Sequence, residues 1–72
     1  MTPKQSKAGR AMLEWSQTEL ARAAGLGLST VLDFERGHRE VSAESVAKMQ
    51  KAMEAAGIRF LGGEEPGVGM RG

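Results

Sequence analysis

Polar side chains recur in a short stretch where they could form hydrogen bonds with a partner. They are Ser29, Thr30, Asp33 and Arg36 at helical spacing, followed by His38 and Arg39. Hydroxyl, carboxylate and guanidinium groups of this kind can contact phosphates and the edges of bases. A serine, a histidine and an aspartate can also form a catalytic set, but here they would lie on an exposed helix and loop without a pocket. The pattern therefore indicates recognition, and the chain is not predicted to be an enzyme.

The stretch from residue 16 to residue 37 must position these side chains, and it predicts two short helices joined by a turn. Ser16 and Glu19 have the spacing of a capping box, and Trp15 and Leu20 have that of a hydrophobic staple. Gly25 follows as a left-handed stop. Two helices joined in this way form a helix-turn-helix, whose second helix fits the major groove of DNA.

The second helix of the motif is predicted to begin near Leu28, after Gly27 as a weak cap, and to end at Gly37. Val31 and Phe34, three residues apart, should face the core. Leu28 and Leu32 fall beside the polar face, where they are either contacts with a partner or an extension of the core. Ser29 and Thr30 could bind phosphate or base, or merely cap the helix.

A further helix is expected on each side of the motif. Thr2 and Gln5 predict a capped first helix that runs to about Leu13. Its inner face is predicted from apolar spacing as Ala8, Ala11, Met12 and Trp15. Lys4 and Lys7 fall on the outer side, either as phosphate contacts or as a solvated surface. Ser42 is expected to cap the last helix, whose core residues are Val46, Met49, Met53 and Ala56 and which ends at Gly57.

The tail changes character after residue 57. Residues 58–61 are predicted to form a strand, residues 62–67 a turn or flexible loop, and residues 68–71 a return strand. Two strands alone are marginally stable, so they need a surface to rest on. One interpretation is a β-ribbon at a two-fold interface formed by residues 58–71. The alternative is that Ile58 and Phe60 only cover the helical core while the rest is disordered.

These elements predict a mainly α fold, a compact four-helix, repressor-like helix-turn-helix domain with a short C-terminal β-hairpin or extended tail. The helical domain would span residues 1–57 and the glycine-rich tail residues 58–72. Roughly residues 4–57 resemble the Xre-type family, the lambdoid phage repressor and Cro family. The residues that carry the resemblance are Gln17, Leu20, Ala21, Ala24, Gly25, Leu26, Val31, Phe34, Glu35 and Gly37.

The resemblance implies specific roles for individual residues. Gln17 would bind a backbone phosphate and brace the first residues of the recognition helix. The residues expected to reach base edges are Gly27, Leu28, Ser29 and Asp33. Arg10 and Glu35 would form a partly buried ion pair between the first and third helices. His38 and Arg39 would touch phosphates, and Arg36 is interpreted in the same way.

The base-reading positions depart from the family pattern, which often has Gln, Arg, Ser or Thr there. Direct readout usually relies on arginine at guanine or on asparagine or glutamine at adenine, and these positions hold none of them. Leu28 could touch a thymine methyl group and Asp33 could accept from cytosine. Two functions therefore remain open: a dimeric, sequence-specific DNA-binding regulator that acts as a repressor, or a protein-interaction module such as an antitoxin with a toxin partner.

Composition limits the other classes of function. The net charge is +1, with +2 in residues 1–39 (six Lys and Arg, four Asp and Glu) and −1 in residues 40–72 (four and five), a faintly basic first half. With no cysteine and one histidine, neither a disulfide nor a structural zinc site is expected. No cofactor, membrane segment or signal peptide is predicted. The resemblance implies a prokaryotic cytoplasm, with double-stranded DNA as the partner.

Overall fold

Four helices and a hairpin form the fold of the computed structural model, which describes residues 1–37, 40–61 and 67–70. The elements, in chain order, are α1 (Pro3–Leu13), α2 (Gln17–Ala24), α3 (Leu28–Arg36), α4 (Ala43–Ala55), β1 (Ile58–Leu61) and β2 (Gly67–Met70). The predicted mainly α fold with a C-terminal hairpin is confirmed. Of the predicted loop at residues 62–67, residues 62–66 lie outside the described residues, as do His38, Arg39 and Arg71, whereas Gly67 belongs to β2.

Local signals set the helix ends, as the sequence predicted. Thr2 and Ser16 both form complete capping boxes, with Gln5 and Glu19 respectively. Ser42 caps α4 by accepting from the backbone of Ser45. Each of these side-chain oxygens satisfies a backbone N–H that the first helical turn leaves unpaired.

The core is formed by side chains of α2, α3, α4 and β1. Its buried apolar side chains are Leu20, Ala21, Val31, Met49, Met53 and Ile58. Phe34, Val46, Phe60 and Val68 pack against this cluster from the surrounding elements. Because Ile58 shares one core with the helices, the first strand of the tail is a structural part of the domain.

The hairpin is antiparallel, with Ile58 opposite Met70 and Leu61 opposite Gly67. Gln5 on α1 holds its end: the side-chain Nε2 donates to the carbonyls of Leu61 at 2.9 Å and Gly67 at 2.8 Å. The interpretation in which residues after Phe60 are disordered does not hold for residues 67–70, since they form β2. The helices thus supply the surface that two isolated strands lack.

The predicted inner face of α1 is wrong. Ala8, Ala11 and Met12 are exposed, and only Trp15 of that set packs partly against the core. The buried residues of α1 are Gln5, Ser6 and Gly9. The polar side chains of α1 can face inward because they find hydrogen-bond partners on α3 and on the hairpin. A buried polar group with such a partner costs little free energy of folding.

Gly9 has a packing reason to lie on that face. A Cβ atom at this position would approach the Sδ of Met53 to 2.9 Å and the Cγ2 of Ile58 to 3.7 Å. Since Met53 and Ile58 are both buried, a side chain at residue 9 would require the Met53 side chain or α1 itself to shift.

Candidate nucleic-acid interface

The turn between α2 and α3 sets the start of the candidate recognition helix. Gly25 adopts a left-handed conformation with φ of 70° and ends α2, as predicted. Leu26 donates its backbone N–H to Ala21 at 2.9 Å and packs against the core. Gly27 is the N-cap residue that precedes α3, and it provides no side-chain cap. The first N–H groups of α3 therefore lack a capping side chain and can meet an anionic partner.

The two faces of α3 differ as the sequence predicted. Val31 is fully buried, and Phe34 packs against the same cluster. On the outer side Ser29 is exposed, and Leu28 keeps 41% of its surface accessible. Thr30, Leu32 and Asp33 are half-buried. An apolar side chain with this exposure at the first position of α3 can touch a base methyl group or a protein partner.

Cationic side chains remain accessible on α3 and on the neighbouring α1. Arg36, in the last turn of α3, is exposed, and so are Lys4 and Lys7 on α1. Because α1 packs directly against α3, these groups belong to neighbouring elements. Their exposure satisfies one requirement for contacts with phosphate.

Glu35 is the buried centre of a hydrogen-bond network that joins three helices. Its Oε1 accepts from Arg10 Nη2 at 2.7 Å and from Gln17 Nε2 at 3.1 Å. Its Oε2 accepts from Arg10 Nε at 2.9 Å and from Ser6 Oγ at 2.5 Å. The carboxylate is therefore fully satisfied, and the ion pair between Arg10 and Glu35 is present.

The ion pair between Arg10 and Glu35 is largely buried, unlike a surface salt bridge. The Glu35 side chain is only 1% accessible and that of Arg10 is 18% accessible. Burial by itself raises the pKa of Glu35, since an interior disfavours charge. The hydrogen bonds from Arg10, Ser6 and Gln17, together with the Arg10 charge, outweigh burial and hold the pKa of Glu35 below its ordinary value. The carboxylate is thus charged at neutral pH and fixes α3 to α1 and α2.

Gln17 has a different contact from the one that the resemblance implied. Its hydrogen bond reaches Glu35 in the last turn of α3, whereas the resemblance implied a brace at the start of that helix. Gln17 is half-buried at the first position of α2. The contact still ties α2 to α3, but it acts through the buried carboxylate.

Sequence reasoning missed Ser6, which is fully buried and donates to Glu35 across 29 positions of sequence. It also gave Gln5 only a capping role, although the same amide holds the hairpin. No local signal marks either role, since serine and glutamine at these positions are equally consistent with an exposed helix face. Their partners are brought to them only by the fold.

The described residues offer little for other kinds of site. Among residues 1–37, 40–61 and 67–70, no three potential ligand side chains gather as a metal site. Within the same ranges, every helix is too short or too polar to span a bilayer. A shallow depression beside the end of α4 is lined by Glu54, Ile58, Arg59 and Phe60, away from the outer face of α3.

Comparison with known proteins gives one informative match. A family model described as helix-turn-helix matches residues 7–56, which include all of α2, α3 and α4. No curated protein matches the chain. The matched segment contains Arg10, Gln17 and Glu35, while Ser6, the fourth member of the buried network, lies just before it.

Proposed function

Because the chain belongs to the Xre-type helix-turn-helix family, a family of DNA-binding regulators and not of enzymes, we propose that it is a sequence-specific repressor of transcription. The observation that carries the proposal is the contrast within α3. One face is fixed to α1 and α2 through Glu35, while Leu28 and Ser29 stay exposed on the other. A rigidly held helix with an accessible outer face is what major-groove docking requires.

The roles divide between base edges and backbone. Leu28, Ser29 and Asp33 read bases, with Thr30 at the edge of that face. The backbone contacts are made by Gln17, Lys7 and Arg36, together with His38 and Arg39, which lie outside the described residues. Apolar contact with thymine methyl groups favours A·T-rich sites, and DNA shape adds to the preference. The protein acts in the cytoplasm of a prokaryotic cell.

Selection from random duplexes tests the proposal. The protein is titrated against a pool at two salt concentrations, and the bound DNA is sequenced. Enrichment of a two-fold symmetric site is expected. Salt-sensitive binding without enrichment would contradict sequence-specific regulation and leave a backbone binder. No binding even at low salt would overturn DNA binding altogether.

Arg36→Ala is expected to weaken DNA binding several-fold on every sequence, because one phosphate contact is lost. The slope of the logarithm of the binding constant against the logarithm of the salt concentration should become smaller by about 1. Lys51→Ala, an exposed cation of α4, is the matched control and should leave both quantities unchanged. Fluorescence anisotropy at four salt concentrations, on a selected and a scrambled duplex, provides the measurement. A loss confined to one base position would contradict the phosphate role.

The hairpin is the proposed dimer interface. Leu61 and Met70 keep 48% and 50% of their surfaces exposed on the two-stranded sheet that the described residues form. Deletion of the tail is a poor test, since it would remove Ile58 from the core.

Leu61→Glu is expected to convert a dimer to a monomer in light scattering at micromolar concentration, because a charge is costly in an apolar interface. Met12→Glu, with 46% exposure on α1, is the control. A dimer that survives Leu61→Glu and Met70→Glu together would contradict this interface.

A protein partner is the second candidate function. Leu28 is exposed, and no arginine, asparagine or glutamine occupies the base-reading positions, which favours an apolar contact with protein. An antitoxin on this scaffold would bind its toxin through α3 or the hairpin. The absence of DNA binding in the selection experiment, together with a toxin-like neighbouring gene whose product binds the chain, would favour this function.

A further inference from the structure

The side-chain amide of Gln17 is held in place by the buried carboxylate of Glu35. Gln17 is the first residue of α2, and its Nε2 lies 3.1 Å from the Oε1 of Glu35. The same oxygen accepts from Arg10, and the other oxygen is occupied by Arg10 and Ser6. The acceptor is therefore fixed in position by three donors before Gln17 is counted, and it cannot follow the amide if the amide moves.

A glutamine amide carries two N–H groups, and only one of them is needed for this bond. Within residues 1–37, 40–61 and 67–70, the bond to Glu35 is the hydrogen bond that the Gln17 side chain makes. Gln17 is half-buried, so its outer side remains within reach of solvent. An unrestrained glutamine samples many rotamers, and ordering it on binding costs entropy. A fixed acceptor removes most of that cost in advance.

We propose that Glu35 is a positioning residue for DNA binding: it orients the Gln17 amide so that one N–H is held internally and the other is presented to a backbone phosphate. The inference rests on the proposed function and deepens it. Glu35 itself is buried and touches no DNA. It acts through Gln17, while Arg10 and Ser6 hold its carboxylate in place.

A double-mutant cycle on DNA affinity tests the proposal. Gln17→Ala is expected to weaken binding about tenfold, a loss typical of a hydrogen bond to a charged group. Glu35→Gln should weaken it by a similar factor, and the double variant should be no weaker than Gln17→Ala alone. All variants are compared well below their melting temperatures, with folding checked by circular dichroism. If Glu35→Gln is just as harmful in the Gln17→Ala background, the effect is structural and the proposal is overturned.

Nuclear magnetic resonance of the free wild-type protein tests the geometry without any variant. A scalar coupling across the hydrogen bond between Gln17 Nε2 and Glu35 Cδ is expected, with slow exchange of one amide proton. Gln50, whose amide donates to Glu54 at 3.3 Å on α4, is the control and should show faster exchange. Rapidly averaging Gln17 amide protons without a coupling would overturn the proposal even if DNA binds.

The two levels of inference fail in distinguishable ways. If the protein binds DNA but the effects of Gln17→Ala and Glu35→Gln on affinity are additive, Glu35 has no positioning role and the proposed regulator stands. The absence of DNA binding removes both, whatever the amide resonances show. Gln50→Ala serves as the affinity control, because it removes an amide on α4 that also pairs with a glutamate, and it should bind DNA as the wild type does.

Discussion

Replacement of Arg10 by methionine is expected to lower the free energy of unfolding by about 3–5 kcal/mol, because it leaves the carboxylate of Glu35 buried without its cation. Small domains are marginally stable, so a loss of this size is a large part of the total. For a domain of this length it corresponds to a melting temperature lower by roughly 15 °C or more. Chemical and thermal denaturation followed by circular dichroism measure both quantities.

The Arg10→Met substitution should also reverse the pH dependence of the free energy of unfolding. In the wild type the pKa of Glu35 is lowered, so the stability that it contributes is fully present above the ordinary glutamate value of about 4.3 and is lost as the pH falls through the folded-state pKa. Removing Arg10 removes the largest of the lowering causes and the attraction of its charge, which leaves only the hydrogen bonds from Ser6 and Gln17 against burial. We therefore expect burial to raise the pKa of Glu35 above its ordinary value in this variant. Arg10→Met should then become more stable, relative to its own value at pH 7, as the pH falls toward 5, while the wild type changes little over that range.

An exposed ion pair supplies the control. Lys48 and Glu44 lie 3.8 Å apart on α4, with side chains 50% and 82% accessible. Lys48→Met is expected to cost less than about 1 kcal/mol, because water screens both charges. Equal losses for Arg10→Met and Lys48→Met, or parallel pH profiles for wild type and Arg10→Met, would contradict the assignment of Glu35 as a buried, cation-dependent carboxylate.

Replacement of Gly9 by leucine is the second change with a large expected effect, a loss of about 3 kcal/mol from overpacking. Even the first added carbon, the Cβ atom, would lie 2.9 Å from the Sδ of Met53 and 3.7 Å from the Cγ2 of Ile58. The fully buried Met53 has little room in which to withdraw. The gain in helix propensity on leaving glycine, about 1 kcal/mol, offsets only part of this loss. Urea denaturation provides the measurement.

Ala8→Leu is the matched control, since Ala8 is the exposed neighbour on the same helix. It should change stability by less than about 0.5 kcal/mol. Combining Gly9→Leu with Met53→Ala tests the contact directly, because the smaller residue makes space for the larger one. The double variant should be at least about 1 kcal/mol more stable than the sum of the single effects predicts. Strict additivity would show that the two residues do not compete for one volume.

Local chemistry made the helix ends of this protein predictable from sequence. The capping boxes at Thr2 and Ser16 and the left-handed glycine at Gly25 involve partners within five residues, so the pattern of letters contains the whole interaction. The helix-turn-helix and the buried faces of α2, α3 and α4 follow from such signals and from apolar spacing. The pair of Arg10 and Glu35 came from the resemblance to a family, since nothing local links them.

Tertiary structure alone decided which face of α1 is buried and what the buried network connects. Apolar spacing favoured Ala8, Ala11 and Met12, but the fold buries Gln5, Ser6 and Gly9. A polar side chain can be buried at little cost only when a partner is supplied, and these partners lie 29 to 62 residues away in sequence. The sequence alone therefore determined where the helices begin and end, while the inward face of α1 depended on distant groups that only the folded chain brings together.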